Sequence, residues 1–326
     1  MSMQKGKSIL GMDQHDFNLF TKRYGISFVM VGMFLLLTFS SPSFLTVNNL
    51  TNVLSTVALN GILALGMVFV ITAGGIDLSI GAMLALASTT IGVALQATGS
   101  NALACVSAVL ICGFLGFLNG LLVAGFNMFP FVVTLASQLV IRGLGYVLSG
   151  GYSFALANPT FRQIGLGRLF GAIPYPILML AAVFIISFIL MHWTKFGRYV
   201  YAVGGNINAA RASGINIFWT RTLTFIISGL FAGVSGVIMT ARINAAQPNI
   251  GIGYETDAIA ACVIGGTSFV GGVSTIPGTL IGIVIIGLIY NGMNLMGIES
   301  YWQTISKGLL IIGAVMLDMT INRKRM

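Results

Sequence analysis

Apolar stretches, each near the length of a bilayer crossing, alternate along this chain with short polar or glycine-rich breaks. A helix that spans the hydrocarbon needs about 20 mostly apolar residues. Windows of that kind lie at 25–40, 52–73, 78–96, 102–125, 130–149, 174–191, 222–241, 256–270, 275–297 and 301–319. The eighth is short and broken by Gly265-Gly266 and Gly271-Gly272, which suits a half-span or re-entrant segment covered by protein or lining a cavity. The pattern predicts an all-α polytopic membrane protein of about ten transmembrane helices, eight at the fewest, with some segments broken or re-entrant. The polar first 23 residues lead into an apolar run too long for a signal core and without a small-x-small cleavage site, so a retained first span is expected.

Composition agrees. The 326 residues are 56% hydrophobic and 7% charged, where a soluble domain carries roughly a quarter charged residues. The net charge of +9 forms no basic groove and has no interleaved aromatics, so nucleic acid is not expected as a partner. It reports orientation instead, because cytoplasmic loops collect Lys and Arg. With ten spans, one side holds eleven basic residues: Lys5, Lys7, Lys22, Arg23, Lys195, Arg198, Arg211, Arg221, Arg323, Lys324 and Arg325. The other holds three, Arg162, Arg168 and Arg242. Both termini are therefore expected in the cytoplasm. The expected organisation is a cytoplasmic segment 1–23, a transmembrane domain 24–320 with a cytoplasmic loop at 192–221, and a basic tail 321–326.

Glycine adds a second pattern. GGIDLSIG (74–81) and GGVSTIPG (271–278) share Gly-Gly, five residues and Gly, at an offset of 197. Internal repeats and Gly-broken spans are common near transport pathways, but 42 glycines also produce such matches by abundance; both readings stand. GLFAGVSG (229–236) sets glycines near one helix face, which predicts close helix packing.

Candidate chemistry is sparse. QKGKS (4–8) lacks the first glycine and the preceding strand of a phosphate loop, so no nucleotide site is expected in this chain. GVSG (233–236) matches the nucleophile motif of an intramembrane serine protease, a minor alternative, yet Ser235 has no histidine base near it in sequence. Cys105, Cys112 and Cys262 lie in apolar runs and read as small core residues; His15 and His192 stand alone. No metal set is expected. Asp77 is a carboxylate at membrane depth, which points to function; Asp77 or Ser79 equally suits a cap on the helix starting near 80. Thr256 and Asp257 offer the same choice, cap and first turn. An ion-coupled secondary transporter, the main alternative function, would draw on Asp77 and Asp257. Arg142 lies mid-span, with those two carboxylates as its candidate partners, and Lys307 is expected to snorkel outward. Amides recur within spans. Asn60, Gln138, Asn291 and Asn294, with Asp77, are the candidates for a polar pathway, because amides exchange hydrogen bonds with a neutral, hydroxyl-rich solute. The competing reading of each amide is glue between helices.

The stretch VGGNINAARASGIN (203–216) differs from its surroundings. Gly204-Gly205 ends one element, Asn206 or Asn208 can cap the next, and Gly214 can close it. A helix of about seven residues is too short to stand alone in water. It suits either a connector or docking into another protein's groove, with small side chains allowing close approach and Arg211 projecting.

At these residues the sequence resembles the membrane-spanning permeases of ribose-type ABC sugar importers, over roughly residues 45–320. The carrying stretches are GGIDLSIGAMLAL, GRYVYAVGGNINAARASGIN, QPNIGIGYETDAIAACVIGGTSFVGG and NGMNLMGIESYWQ. The resemblance implies a homodimer of permeases in the lipid bilayer, a cytoplasmic ABC ATPase pair that carries the ATP and Mg, and a periplasmic sugar-binding protein. No cofactor is implied in this chain. It also implies a cytoplasmic coupling helix between spans six and seven. The wider class has E-A-A-x-x-x-G there; this chain has Asn208-Ala209-Ala210-Arg211-Ala212-Ser213-Gly214, with Asn208 in the acidic position. The expected function is binding-protein-dependent monosaccharide import by alternating access, with no covalent chemistry in this chain.

Overall fold

The computed structural model describes the backbone of residues 14–322 and the side chains of residues 25–313, 315 and 316. The basic residues Lys5, Lys7, Arg323, Lys324 and Arg325 lie outside the described residues. The chain folds as a helical bundle: α1 (Gln14–Ser40), α2 (Val47–Thr72), α3 (Ile80–Thr98), α4 (Asn101–Gly125), α5 (Pro130–Ser149), α6 (Pro159–Leu166), α7 (Tyr175–Trp193), α8 (Lys195–Gly205), α9 (Ile207–Ala212), α10 (Ile217–Ile243), α11 (Tyr254–Ile264), α12 (Ile276–Leu295) and α13 (Ser300–Asn322). Local chemistry sets many ends. Thr46, Ser100 and Thr275 accept from the third residue on, at Asn49, Leu103 and Gly278. Gly99 (φ 66°) and Gly150 (φ 64°) close α3 and α5 in the left-handed conformation.

Among the described residues, seven helices are long and apolar enough to cross a membrane: α2, α3, α4, α5, α7, α10 and α12. The chain is therefore an all-α, multi-pass membrane protein. Each of the ten sequence windows contains a helix, but the windows differ in kind. The apolar part of α1 is Gly25–Ser40, shorter than the seven, and α1 reaches back to Gln14 in the polar leader. The eighth window holds α11, whose 11 residues rise about 16 Å, half a bilayer; the rest of that window is turn. At that length α11 is too short to cross a bilayer by itself, and protein covers it, since Ala258–Val263 are all buried.

α2 lies at the centre, with every residue from Val57 to Thr72 buried. Packing around it depends on glycine. A Cβ at Gly116 or Gly120 of α4 would meet the backbone of Phe225 or Thr222 in α10; one at Gly229 would meet the Cys112 carbonyl, and one at Gly233 would lie 2.7 Å from the Val109 Cα. The close contact read from GLFAGVSG is thus α10 against α4, with Gly236 set against Ala87 of α3. Apolar side chains such as Leu110, Val140, Ile185 and Leu309 point outward from α4, α5, α7 and α13, where a bilayer solvates them as well as a core would.

The segment between α5 and α7 carries structure the hydrophobic pattern did not announce. β1 (Phe154–Ala155) pairs antiparallel with β4 (Ala245–Ala246), placing Phe154 opposite Ala246, and β2 (Arg168–Leu169) pairs with β3 (Ile173–Pro174). Two-residue strands are below the length at which side-chain alternation is readable.

Close backbone contact makes a clear prediction. Gly116→Leu should lower the thermal midpoint of the detergent-purified protein, because overpacking costs about 1–3 kcal/mol or more. Gly143→Ala, whose Cβ meets nothing within 4 Å, should leave it unchanged. Equal midpoints would contradict the α4–α10 geometry.

Candidate functional site

Two places combine polar chemistry with broken helices, at opposite ends of the bundle. The first is built around α9. Asn206 caps it, its Oδ1 accepting from the Ala209 N–H at 2.9 Å; Asn208 does not. Gly214 (φ 78°) closes it, with Ile215 N–H donating to the Ala210 carbonyl at 3.1 Å. Only Ala210 is buried; Asn208, Ala209, Arg211, Ala212, Ser213 and Gly214 are exposed. The helix lies on the surface with its small residues free.

Just before α9, three pairs of glycines meet. Gly204 faces Thr72 so closely that a Cβ would collide with the Thr72 carbonyl oxygen, and it would lie 2.6 Å from Gly272 N. A Cβ on Gly272 would lie 2.6 Å from Gly205 Cα, and one on Gly271 3.1 Å from Gly74 Cα. Gly74, Gly271 and Gly272 all have positive φ, at 77°, 98° and 71°. Gly272 N–H donates to the Thr72 carbonyl at 2.9 Å, and Arg221 of α10 donates to the Gly74 carbonyl at 3.2 Å. Tyr201 and Ser274 are joined through their hydroxyls at 3.1 Å. The two Gly-Gly breaks that resemble each other in sequence therefore abut in space, with the end of α8 between them.

The second place is a chamber of about 360 Å³ at the other end, between the first turns of α2 and the last turns of α12. α2 contributes Asn52, Thr56 and Asn60, α10 contributes Arg242, and α12 contributes Gly287, Tyr290, Asn291 and Asn294. Arg242 donates to Thr56 Oγ1 at 3.0 Å. Both also line an adjoining cavity of about 370 Å³ with Tyr254. Asn291 and Asn49 exchange amide hydrogen bonds at 2.7 and 3.1 Å. Gln303 donates to Asn294 at 2.8 Å. Tyr290 donates its phenol to Asp257 at 2.8 Å, and Lys307 pairs with the same carboxylate oxygen at 2.8 Å. Asn60 is buried, and its Oδ1 has no hydrogen-bond partner, a condition that costs roughly 1–3 kcal/mol.

The chain matches, over residues 49–316, the family described as the permease component of branched-chain amino acid transport systems. It is 43% identical over 293 residues to the ribose import permease protein of Bacillus subtilis (strain 168), covering 88% of this chain and 91% of that one. It is 39% identical over 315 residues to the D-allose transport system permease protein of Escherichia coli (strain K12), covering 94% and 95%. It is 34% identical over 303 residues to the L-arabinose ABC transporter permease protein of Azospirillum brasilense, covering 93% and 89%. The chain belongs to this family of transport permeases. No solved structure matches it.

The permease brings together three of the five pathway candidates, Asn60, Asn291 and Asn294, in the chamber. Asp77 and Gln138 do not line it. Gln138 approaches Glu255 at 3.5 Å. Asp77 is fully buried and joins a chain of hydrogen bonds: its Oδ1 accepts from Ser79 N–H (3.0 Å) and hydroxyl (2.5 Å), and its Oδ2 from Ser228 (2.9 Å). Asn119 donates to Ser79 at 2.9 Å and accepts from Ser137 at 2.5 Å. Asp77 thus ties the turn before α3 to α10, and Ser79 makes no side-chain cap. α11 is likewise capped at Gly253, not Thr256, whose hydroxyl donates back to the Gly253 carbonyl at 2.6 Å.

Both intramembrane cations depart from expectation. Arg142 meets neither Asp77 nor Asp257. It donates to the carbonyls of Pro248 and Ile250 at 3.0 and 2.5 Å, holding the segment before α11. Lys307 turns inward to Asp257 and to the Gly253 carbonyl at 2.9 Å, because a buried carboxylate is a better partner than a distant interface. Ser235 donates to the Leu59 carbonyl at 3.1 Å and is buried among helices, an interhelical contact rather than a nucleophile. Sequence reasoning missed Asn52, Thr56 and Arg242 as chamber walls. A signal existed: Asn52, Thr56 and Asn60 recur every four residues, on one face of α2.

Asp77→Ala should lower the thermal midpoint of the purified permease, since it strips buried hydroxyls of their acceptor at about 1–3 kcal/mol. Asp77→Asn, which retains one oxygen, should recover much of the loss. A midpoint unchanged by Asp77→Ala would show that the chain of hydrogen bonds carries no stability.

Proposed function

We propose that this chain is the membrane-spanning subunit of an ABC importer for a monosaccharide. A separate ATPase drives it, and a periplasmic sugar-binding protein supplies it. The observation that carries the reading is α9: an exposed, capped helix of small residues attached to a junction of both broken segments. The near full-length identity to ribose, allose and arabinose permeases supports the solute class over the branched-chain amino acids of the family description.

In this reading α1, α11 and α13 complete ten spans with the seven long helices, α11 as a half-span, and both termini are cytoplasmic in the inner membrane. Residues 1–23 and 321–326 are cytoplasmic flanks of the transmembrane domain 24–320, and 192–221 is the coupling loop. Lys195, Arg198 and Arg211 lie on α8 and α9 and Arg221 bonds Gly74 beside them, whereas Arg162 lies on α6, which meets Arg242 through Gly165; under the positive-inside rule this supports a cytoplasmic α9 end. Two copies form the pathway. Asn208 to Gly214 dock in a groove of the ATPase, which binds the ATP and Mg; closure of the ATPase pair moves α9. Gly204 passes that displacement to the ends of α2 and α11 and the starts of α3 and α12, and the chamber is the outward-facing part of the route. The ion-coupled alternative has little to work with. Asp77 is held by hydroxyls, and Asp257 is paired with Lys307, so neither is a free proton carrier.

Proteoliposomes holding the permease, its ATPase and ATP inside, with binding protein and sugar outside, should accumulate the sugar. The permease alone, under a proton or sodium gradient, should not; uptake by the chain alone would overturn the reading. Two substitutions test the coupling. Gly214→Val forces a β-branched residue to φ 78° in otherwise open space and should reduce uptake about tenfold or more while membrane insertion persists, a strain of roughly 1–3 kcal/mol at the helix end. Gly204→Ala should abolish uptake, whereas Gly205→Ala, whose Cβ meets nothing within 4 Å, should transport normally. Normal uptake by Gly204→Ala would remove the junction from the mechanism.

A further inference from the structure

We infer that the chamber between α2 and α12 is a solute-selecting station inside the permease, shaped for one neutral polyhydroxylated ring, an aldopentose or aldohexose. This rests on the importer reading and goes beyond it, since a pathway fed by a binding protein could be a featureless conduit.

The first ground is preorganisation. Four polar wall residues are each held by another side chain: Asn291 by Asn49, Arg242 by Thr56, Asn294 by Gln303, and Tyr290 by Asp257. Lys307 in turn fixes Asp257. Groups already held lose little freedom when a solute arrives, and positioned polar groups are what discriminate one solute from another. The second ground is Asn60. It is 7% exposed, lines the chamber, and its enclosed Oδ1 lacks a partner; rotation of the amide about its last torsion is the step that turns that acceptor toward a hydroxyl in the chamber.

The third ground is charge. Among the described residues that line the chamber, Arg242 is the one with a charge, and none is a carboxylate. An ammonium group would find no counter-charge among those residues and would face Arg242, which disfavours an amino acid even though its carboxylate could pair with the guanidinium. A neutral ring can accept from the guanidinium through adjacent hydroxyls, donate to Asn60 and lay an apolar face on Tyr290. The volume of about 360 Å³ is at the small end for ligand pockets, room for one such ring and a few waters of about 30 Å³ each. Binding is weak by requirement, since a solute held tightly would not move on.

The test uses the purified permease–ATPase complex without binding protein, with D-ribose, D-allose, L-arabinose and L-leucine as probes in saturation-transfer NMR. Saturable transfer is expected to at least one sugar, with none to leucine. Asn60→Leu should weaken sugar binding about tenfold, the loss of one hydrogen bond. Should Asn60→Leu fail to fold, by its thermal midpoint, Asn294→Leu at the exposed rim should weaken binding in the same direction. Absence of saturable transfer to every sugar, equal affinity in the folded variant, or leucine binding as well as sugar would each overturn the inference. ATP-driven uptake by the complete system separates the two claims. Sugar import by a permease that binds none leaves the importer reading standing and removes the station, while failure to import any sugar removes both.

Discussion

A backbone break inside a membrane is tolerable only if its amides and carbonyls find partners there, and the two breaks of this chain supply each other. Gly272 N–H meets the Thr72 carbonyl, and Arg221 meets the Gly74 carbonyl. Such contact needs backbones closer than any Cβ permits, which is why Gly204 faces Thr72 and Gly272 faces Gly205. The same rule governs the bundle at large. Where α4 crosses α10, glycines replace side chains, because in lipid the attraction between helices comes from close packing rather than from escape from water. The ends of α2 and α8 and the turns before α3 and α12 meet at that junction.

Buried polar groups obey a parallel accounting. Three charges within the bundle are met in three ways: Asp257 by Lys307, Arg142 by two carbonyls, and Asp77 by two serines. A cation that meets carbonyls, and a carboxylate that meets hydroxyls, hold neighbouring segments together without a partner of opposite charge. This is the pattern of a scaffold that fixes broken segments in place, and it differs from a proton relay, whose members must exchange partners. Among the described residues of the chamber wall, Asn60 is the one whose buried polar atom is left without a partner.

Sequence alone made the membrane class and the helix windows plain, because apolar length is dictated by the bilayer. The capped α9 was also legible, since Asn206 and Gly214 are local signals acting over a few residues. The chamber was half legible. Asn60, Asn291 and Asn294 stood out as amides in apolar runs, but Arg242 read as an outer-loop cation, and Asn52 and Thr56 drew no reading. Their convergence depends on how α2, α10 and α12 pack, which no local pattern carries. The partners of Arg142 and Lys307 were hidden for the same reason: carbonyls freed by an irregular segment leave no mark in the residue sequence. The Gly-Gly repeat showed that two breaks existed and gave no sign that they touch.

The junction and the chamber are remote, yet they share their rods. α2 carries Thr72 at one and Asn60 at the other, about 18 Å apart along its axis at 1.5 Å per residue. α12 follows directly from the turn around Gly272 and ends with Tyr290, Asn291 and Asn294 in the chamber wall. α10 touches both, through Arg221 at Gly74 and Arg242 at Thr56. A packed helix does not stretch, so a tilt imposed at one end becomes a displacement at the other. Displacement at Gly204 bears on α2 and α12 together, and these two helices form facing walls of the chamber. Its width, and the Asn49–Asn291 bond across it, therefore depend on how the glycine backbones sit at the opposite end.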